Sequence, residues 1–157
     1  MLTRRLDDRR QAALPFAVLG GVAIIAGGLV AAAVARHPAQ HLVWMSAYLV
    51  LIVGVAQCVF GVGQALLSQR APSRALVWVE WIVFNLGNAG VIAGTLLGGF
   101  VLVFVGTALF AAGIVLFLVA THGSWRAGWL AGYRLLLGLI LVSSLVGLAL
   151  SAIANPN

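Results

Sequence analysis

The feature that most constrains the fold is an apolar run from Ala75 to Ala120, 46 residues long and interrupted only by scattered polar side chains. A single α-helix of that length would measure about 69 Å, more than twice the roughly 30 Å hydrocarbon core of a bilayer. The chain must therefore turn back within this run. Gly98-Gly99 is the predicted turn, because paired glycines permit a backbone reversal.

Apolar runs of spanning length recur along the whole chain. Of its 157 residues, 63% are hydrophobic and 8% are charged, whereas soluble domains are about 25% charged. The strict alternation that a membrane β-barrel requires does not occur in the sequence. We therefore predict an all-α membrane protein, a single integral domain over residues 1–157 that forms a bundle of five transmembrane helices. The predicted helices cover residues 13–35, 42–67, 75–97, 100–120 and 130–153.

The arginines predict how the chain is oriented in the membrane. Four of them precede the first predicted helix, Arg70 and Arg74 separate the second and third, and Arg126 and Arg134 lie at the start of the fifth. Cytoplasmic loops carry the excess of basic residues. With a cytoplasmic N-terminus, eight arginines lie inside and only Arg36 outside, so the C-terminus is expected in the periplasm. The absence of lysine is typical of GC-rich bacterial genomes, which makes the bacterial inner membrane the expected location.

The first predicted helix also permits an interpretation as a secretory signal peptide. A basic N-terminal region followed by an apolar run and Ala33-Val34-Ala35 matches a leader with an A-x-A cleavage site. The apolar run exceeds 20 residues, however, whereas the apolar part of a leader is usually 7–15 residues long. A retained membrane helix is therefore favoured.

Small residues at four-residue spacing predict close helix packing, because lipid supplies no hydrophobic force between helices. The third predicted helix carries Gly90, Gly94 and Gly98, two overlapping GxxxG motifs. An intrachain bundle is favoured over a dedicated dimer interface. The fourth predicted helix is largely bulky and is expected to face lipid or a partner. Comparable stripes on the first, second and fifth helices are Ala23, Gly27, Ala31 and Ala35; Ala47, Gly54, Gln57, Gly61, Gln64 and Ser68; and Ser143, Gly147 and Ser151.

Polar residues inside the predicted helices indicate a buried network, because an unpaired polar group in the membrane is costly. Counting 1.5 Å per residue places Gln57 and Asn85 at the same depth, so we expect such amides to link the second, third and fifth helices. Glu80 is expected to pair with Arg134. Interhelical bonding is favoured over a path for a proton, ion or solute, since a proton relay would need a second intramembrane acid. The predicted network comprises Gln57, Glu80, Asn85, Asn88, Arg134 and Ser143.

The candidate metal or haem ligands are His37 and His41, which lie four residues apart at the predicted outer entrance to the second helix. If the helix begins at Pro38, both imidazoles project from one face, and Trp44 and Tyr48 continue that face. A haem b group with one histidine as axial ligand is the alternative use of these residues. Interfacial anchoring at headgroup level is favoured, because aromatic and histidine side chains are common there.

The remaining sequence does not favour an enzyme. Cys58 is the single cysteine, which excludes an internal disulfide or a CxxC motif, and no Ser–His–Asp set falls on one side of the membrane. The basic residues flank apolar runs, which argues against nucleic acid as a partner. The expected partners are the lipid bilayer and either other membrane subunits or further copies of the chain.

Three functions follow from these patterns. The leading one is a non-catalytic accessory, assembly or scaffolding subunit of a larger membrane complex. The alternative is a haem- or quinone-linked redox protein that uses His37 or His41. The second alternative is a small transporter or channel subunit in which Gln57, Asn85 and Asn88 form the polar lining.

Overall fold

The fold is known from a computed structural model, which describes residues 2–68, 71–121 and 127–154. Within these ranges the secondary structure is helical and contains no strand. Five of the helices are long and apolar enough to cross a membrane, so the predicted class and the predicted number of spans are confirmed. Arg70, His122 and Arg126 lie outside the described residues. The helices are α1 (Leu2–Val34), α2 (Gln40–Leu67), α3 (Arg74–Leu97), α4 (Phe100–Ala120) and α5 (Ala127–Ala154).

Helix α1 begins 11 residues before the predicted span and continues through Pro15. The additional turns carry the charged residues of the N-terminal segment, which a helix can keep solvated once it leaves the hydrocarbon layer. Helix α2 changes geometry midway, because Leu49–Ala56 forms a π-helix between two α-helical segments. The N–H of Gln57 then donates to the carbonyls of Ile52 and Gly54 as the α-helix resumes.

The connection between α3 and α4 is short. Helix α3 ends at Leu97 and α4 begins at Phe100. Gly98 has a φ of +70°, which side chains with a Cβ rarely adopt, and Gly99 is extended. The N–H of Gly99 donates to the carbonyl of Gly94 at 2.9 Å, which closes the end of α3. Two residues therefore suffice to reverse the chain.

The chain divides into two compact units. One contains α1 and nearly all of α2, through Leu66, and the other contains α3, α4 and α5. The assignment of residues 1–157 to a single domain stays a prediction, as does the orientation of the termini.

Candidate functional site: glycine-packed helices and buried polar side chains

Helices α3 and α4 pack with their backbones in direct contact. A Cβ atom placed on Gly106 would lie 2.5 Å from the backbone nitrogen of Val91, and one on Gly94 would lie 2.6 Å from that of Val103. A Cβ atom placed on Gly90 would lie 2.8 Å from the Cα of Gly106. Two glycines of the predicted GxxxG series therefore lie in the contact. This closeness supplies the van der Waals packing that holds helices together in lipid.

Gly98, the third glycine of that series, has another role. A Cβ atom there would have no neighbour within 4 Å, and the residue lies in the turn. The contact instead extends towards the start of α3 through Gly87, which lies against the backbone of Phe110. The GxxxG spacing thus indicated which face of α3 packs closely against a neighbouring helix. Of its three glycines, Gly98 makes no contact with that helix.

The fourth helix has an exposed apolar side, as expected of a helix that faces lipid or a partner, but it also has a buried face that the sequence did not indicate. Its buried face consists of Gly106, Thr107, Phe110, Gly113, Ile114 and Phe117. The ring of Phe84 on α3 lies 5.1 Å from that of Phe110 and 6.1 Å from that of Phe117, centroid to centroid. Gly113 leaves room for Phe84, since a Cβ there would lie 3.2 Å from its Cα. The glycines that make this possible are hidden among bulky neighbours in the sequence, which is why the helix looked uniformly lipophilic.

Helices α1 and α2 form the second glycine-packed pair. Gly20 and Gly27 on α1 face α2, where a Cβ on Gly27 would lie 2.9 Å from the carbonyl oxygen of Ser46. The hydroxyl of Ser46 donates to the carbonyl of Gly27 at 2.9 Å, and both are shielded from solvent. The thiol of Cys58 lies 3.9 Å from the carbonyl of Phe16, in the range of a weak hydrogen bond. Cys58 is thus a packing residue of this contact.

An arginine joins the ends of α1 and α2. The guanidinium of Arg9 donates to the carbonyls of Ala65 and Leu66, the latter at 3.2 Å. Carbonyls in the last turn of a helix have no intrahelical partner, and a cation there also complements the helix dipole. Arg9 therefore fixes the first turns of α1 against the end of α2.

The asparagine side chains of α3 donate hydrogen bonds to backbone carbonyls of the same helix. Asn85 Nδ2 donates to the carbonyl of Trp81 at 2.7 Å, and Asn88 Nδ2 donates to that of Phe84 at 2.9 Å. Both bonds lie within α3, where the acceptor is one turn away and no second helix has to be aligned. Each side-chain amide group thus has a hydrogen-bond acceptor within its own helix.

Gln57 is the exception among the buried amides. Its side chain is fully buried, and neither Oε1 nor Nε2 has a hydrogen-bond partner within the described part of the chain. The predicted link between Gln57 and an amide of another helix stays a prediction. Ser143, the last member of the predicted network, is exposed on α5.

Glu80 on α3 and Arg134 on α5 each lie close to another polar group of their unit. Glu80 is fully buried on α3, and its carboxylate is close enough to Tyr133 on α5 for an electrostatic interaction. Arg134 Nη2 donates to the carbonyl of Thr121, at the end of α4, at 3.3 Å. The direct ion pair between Glu80 and Arg134 stays a prediction.

The condition under which the two histidines would share a helix face is not met, because the helix does not begin at Pro38. His37 lies in the bend after α1, where its N–H donates to the carbonyl of Val34 at 3.2 Å. Ala39 is extended, and α2 begins only at Gln40. His37 and His41 are both exposed. The structure shows no group of three or more histidine, cysteine or acidic side chains that could hold a metal within the described ranges.

The aromatic pair beyond the histidines does form. The rings of Trp44 and Tyr48 stack with centroids 5.1 Å apart and planes inclined by 29°. They lie one turn apart on the first α-helical segment of α2. Stacked rings near the end of a membrane helix are typical of interfacial anchors.

Helix α5 is the least covered of the five spans. Large apolar side chains face outwards along its length, and a Cβ on Gly138 or on Gly147 would have no neighbour within 4 Å. Ser143 lies exposed between these two glycines. The small residues that are tightly packed on α3 are thus open on α5, and the expectation that Gly147 packs within the chain is wrong.

Comparison with known proteins adds no relative, since the chain matches no protein-family model, no curated protein and no solved structure.

Proposed function

We propose that this protein is a non-catalytic accessory subunit of a larger membrane complex, inserted as a multi-pass protein in the bacterial inner membrane. The observation that carries the proposal is the open face of α5. It presents Ser143 and Gly147, which lie one turn apart on the same side of the helix, and no part of the described chain fills the space beside Gly147. We call these two residues the α5 stripe.

The α3–α4 contact supports the proposal by showing what such residues do in this protein. There the glycines allow two backbones to approach until added Cβ atoms would overlap the facing helix. Contacts of this kind provide the packing energy for helix association in lipid, where exposing an apolar side chain carries no penalty. The α5 stripe offers the same shape to a helix outside the chain. Its expected occupant is one transmembrane helix of another subunit that presents small residues of its own.

The bonding of the buried polar groups is consistent with a structural role. Asn85, Asn88 and Thr121 donate to carbonyls within their own helices. Arg9 and Ser46 join α1 to α2. These bonds stabilise the individual helices and the helix pairs, which is what a scaffolding subunit requires of its own fold.

The experiment compares Gly147→Leu with Gly28→Leu. Gly28 lies on α1, and a Cβ there also meets nothing within 4 Å, so the two variants add the same side chain to two open faces. The tagged protein is expressed in its native membrane, extracted in mild detergent and sized by native electrophoresis. We expect wild type and Gly28→Leu to migrate in a complex larger than the single chain, and Gly147→Leu to be lost from it.

Two results would contradict the proposal. One is a wild-type protein that migrates as a single chain even when it is crosslinked in the membrane before extraction. The other is a complex that Gly147→Leu leaves intact. Co-expression of two differently tagged copies separates a homo-oligomer from a complex with another subunit, because only the homo-oligomer contains both tags.

A further inference from the structure

One face of α1 carries exposed apolar side chains, and an exposed arginine lies at its N-terminal end. The apolar part of this face consists of side chains that are each more than half exposed, namely Leu14, Val18, Val22, Ile25 and Leu29. Arg10 is also exposed. It precedes Leu14 by four residues, which places it on the same side of the helix.

Helix length places Arg10 at the edge of the hydrocarbon layer. From Arg10 to the end of α1 at Val34 the helix rises about 36 Å, slightly more than a hydrocarbon core of about 30 Å. Leu14, one turn further in, already lies within the core. A long arginine side chain in this position extends towards the headgroups while its methylene groups stay in contact with apolar surface.

The contact made by Arg9, the neighbouring residue, is consistent with this position at the edge of the hydrocarbon layer. Its guanidinium contacts carbonyls in the last turn of α2, which ends at Leu67. Arg9 therefore faces α2 inside the protein. Arg10 follows by about 100° around the helix axis and faces the surrounding lipid. Of the two neighbouring arginines, Arg9 is thus held by the fold, whereas Arg10 is exposed on the outer side of the helix.

We propose that Arg10 binds the phosphate group of an anionic phospholipid in the leaflet that holds the N-terminal end of α1. A planar guanidinium can donate two parallel hydrogen bonds to phosphate oxygens, and such charge-assisted bonds are stronger at the edge of a low-dielectric layer. Residues 4–10 contain four arginines and two aspartates, Asp7 and Asp8, for a formal charge of +2. This excess favours a lipid of net negative charge over a zwitterionic one, because the ammonium group of the latter would be repelled.

The test measures which lipid the full chain retains. The protein, purified in a non-ionic detergent, is mixed with equal amounts of phosphatidylglycerol and phosphatidylcholine, and bound lipids are counted by native mass spectrometry. We expect wild type to retain one phosphatidylglycerol. Arg10→Gln is expected to reduce that retention about fivefold, the effect of one arginine near an anionic surface. Arg10→Lys should have an intermediate effect, because it keeps the charge and loses the two parallel bonds.

The matched control is Arg36→Gln, which removes one exposed arginine at the opposite end of α1. It is expected to leave phosphatidylglycerol retention unchanged. Equal loss in both variants would mean that net charge alone attracts the lipid, and would overturn the proposal. So would equal retention of the two lipids, or full retention by Arg10→Gln in protein whose helical circular dichroism matches wild type.

Discussion

The α3–α4 contact makes a sharp prediction for Gly106→Ala. The new Cβ would lie 2.5 Å from the backbone nitrogen of Val91, 2.7 Å from the carbonyl carbon of Gly90 and 2.9 Å from the carbonyl oxygen of Gly87. Ordinary contacts of a Cβ begin at about 3.4 Å. All three neighbours are backbone atoms, so no rotamer change can relieve the overlap. Helix α4 must therefore move away from α3 by about 1 Å at this point.

The size of the effect follows from two opposing terms. Overpacking of a close helix contact costs about 1–3 kcal/mol. Alanine is more favourable than glycine inside a helix by up to about 1 kcal/mol. Because a shift at Gly106 also loosens the neighbouring contact at Gly94, we expect the cost to prevail. The predicted net loss in the free energy of unfolding is about 2 kcal/mol.

Reversible unfolding by SDS in mixed micelles, followed by tryptophan fluorescence, measures this loss. The matched control is Gly147→Ala on α5, where the Cβ meets nothing within 4 Å. It should leave the midpoint unchanged or raise it slightly, since only the helix propensity differs. The reasoning would be refuted if Gly106→Ala unfolded at the wild-type midpoint, or if Gly147→Ala lost as much stability as Gly106→Ala.

Three further predictions use the same unfolding assay. Ser46→Ala should lower the free energy of unfolding by about 1 kcal/mol, because it removes a buried hydrogen bond to Gly27. The control, Ser143→Ala, changes an exposed serine and should cause no loss. Equal losses in the two variants would refute the stabilising role of the Ser46 hydrogen bond. Gln57→Leu should gain about 1–3 kcal/mol, since it replaces a fully buried amide that has no hydrogen-bond partner in the described chain; a loss would contradict this reading. Arg9→Gln should lower the free energy of unfolding by about 1 kcal/mol, because carbonyls at the end of α2 lose their hydrogen-bond donor. An unfolding midpoint equal to that of wild type would contradict this prediction.

Much of the fold could be predicted because it depends on local properties. The third and fourth helices were predicted at residues 75–97 and 100–120, and the structure has them at Arg74–Leu97 and Phe100–Ala120. The thickness of a bilayer determines how long an apolar run must be, and a run too long for one crossing must turn. Neither inference requires knowledge of which helix lies beside which.

The candidate sites were less predictable because side-chain partners are set by the alignment of helices. Asn85 was predicted to link two helices, whereas its side chain donates to a carbonyl of its own helix. His37 and His41 have the spacing of a shared helix face, but the bend after α1 places only His41 in α2. The π-helix before Gln57 carries no pattern that distinguishes Leu49–Ala56 from an ordinary apolar helix.

The all-helical class and the number of helices long enough to cross a membrane could be predicted from the sequence, since the length of an apolar run is a property of a single segment. Which stripe of small residues is used depends on how the helices pack. Gly94 packs against Val103, whereas Gly147 on α5 is open, although both belong to stripes with the same four-residue spacing. The physical reason is that a glycine contributes packing energy only when a second backbone lies opposite it. That condition is a property of two helices together.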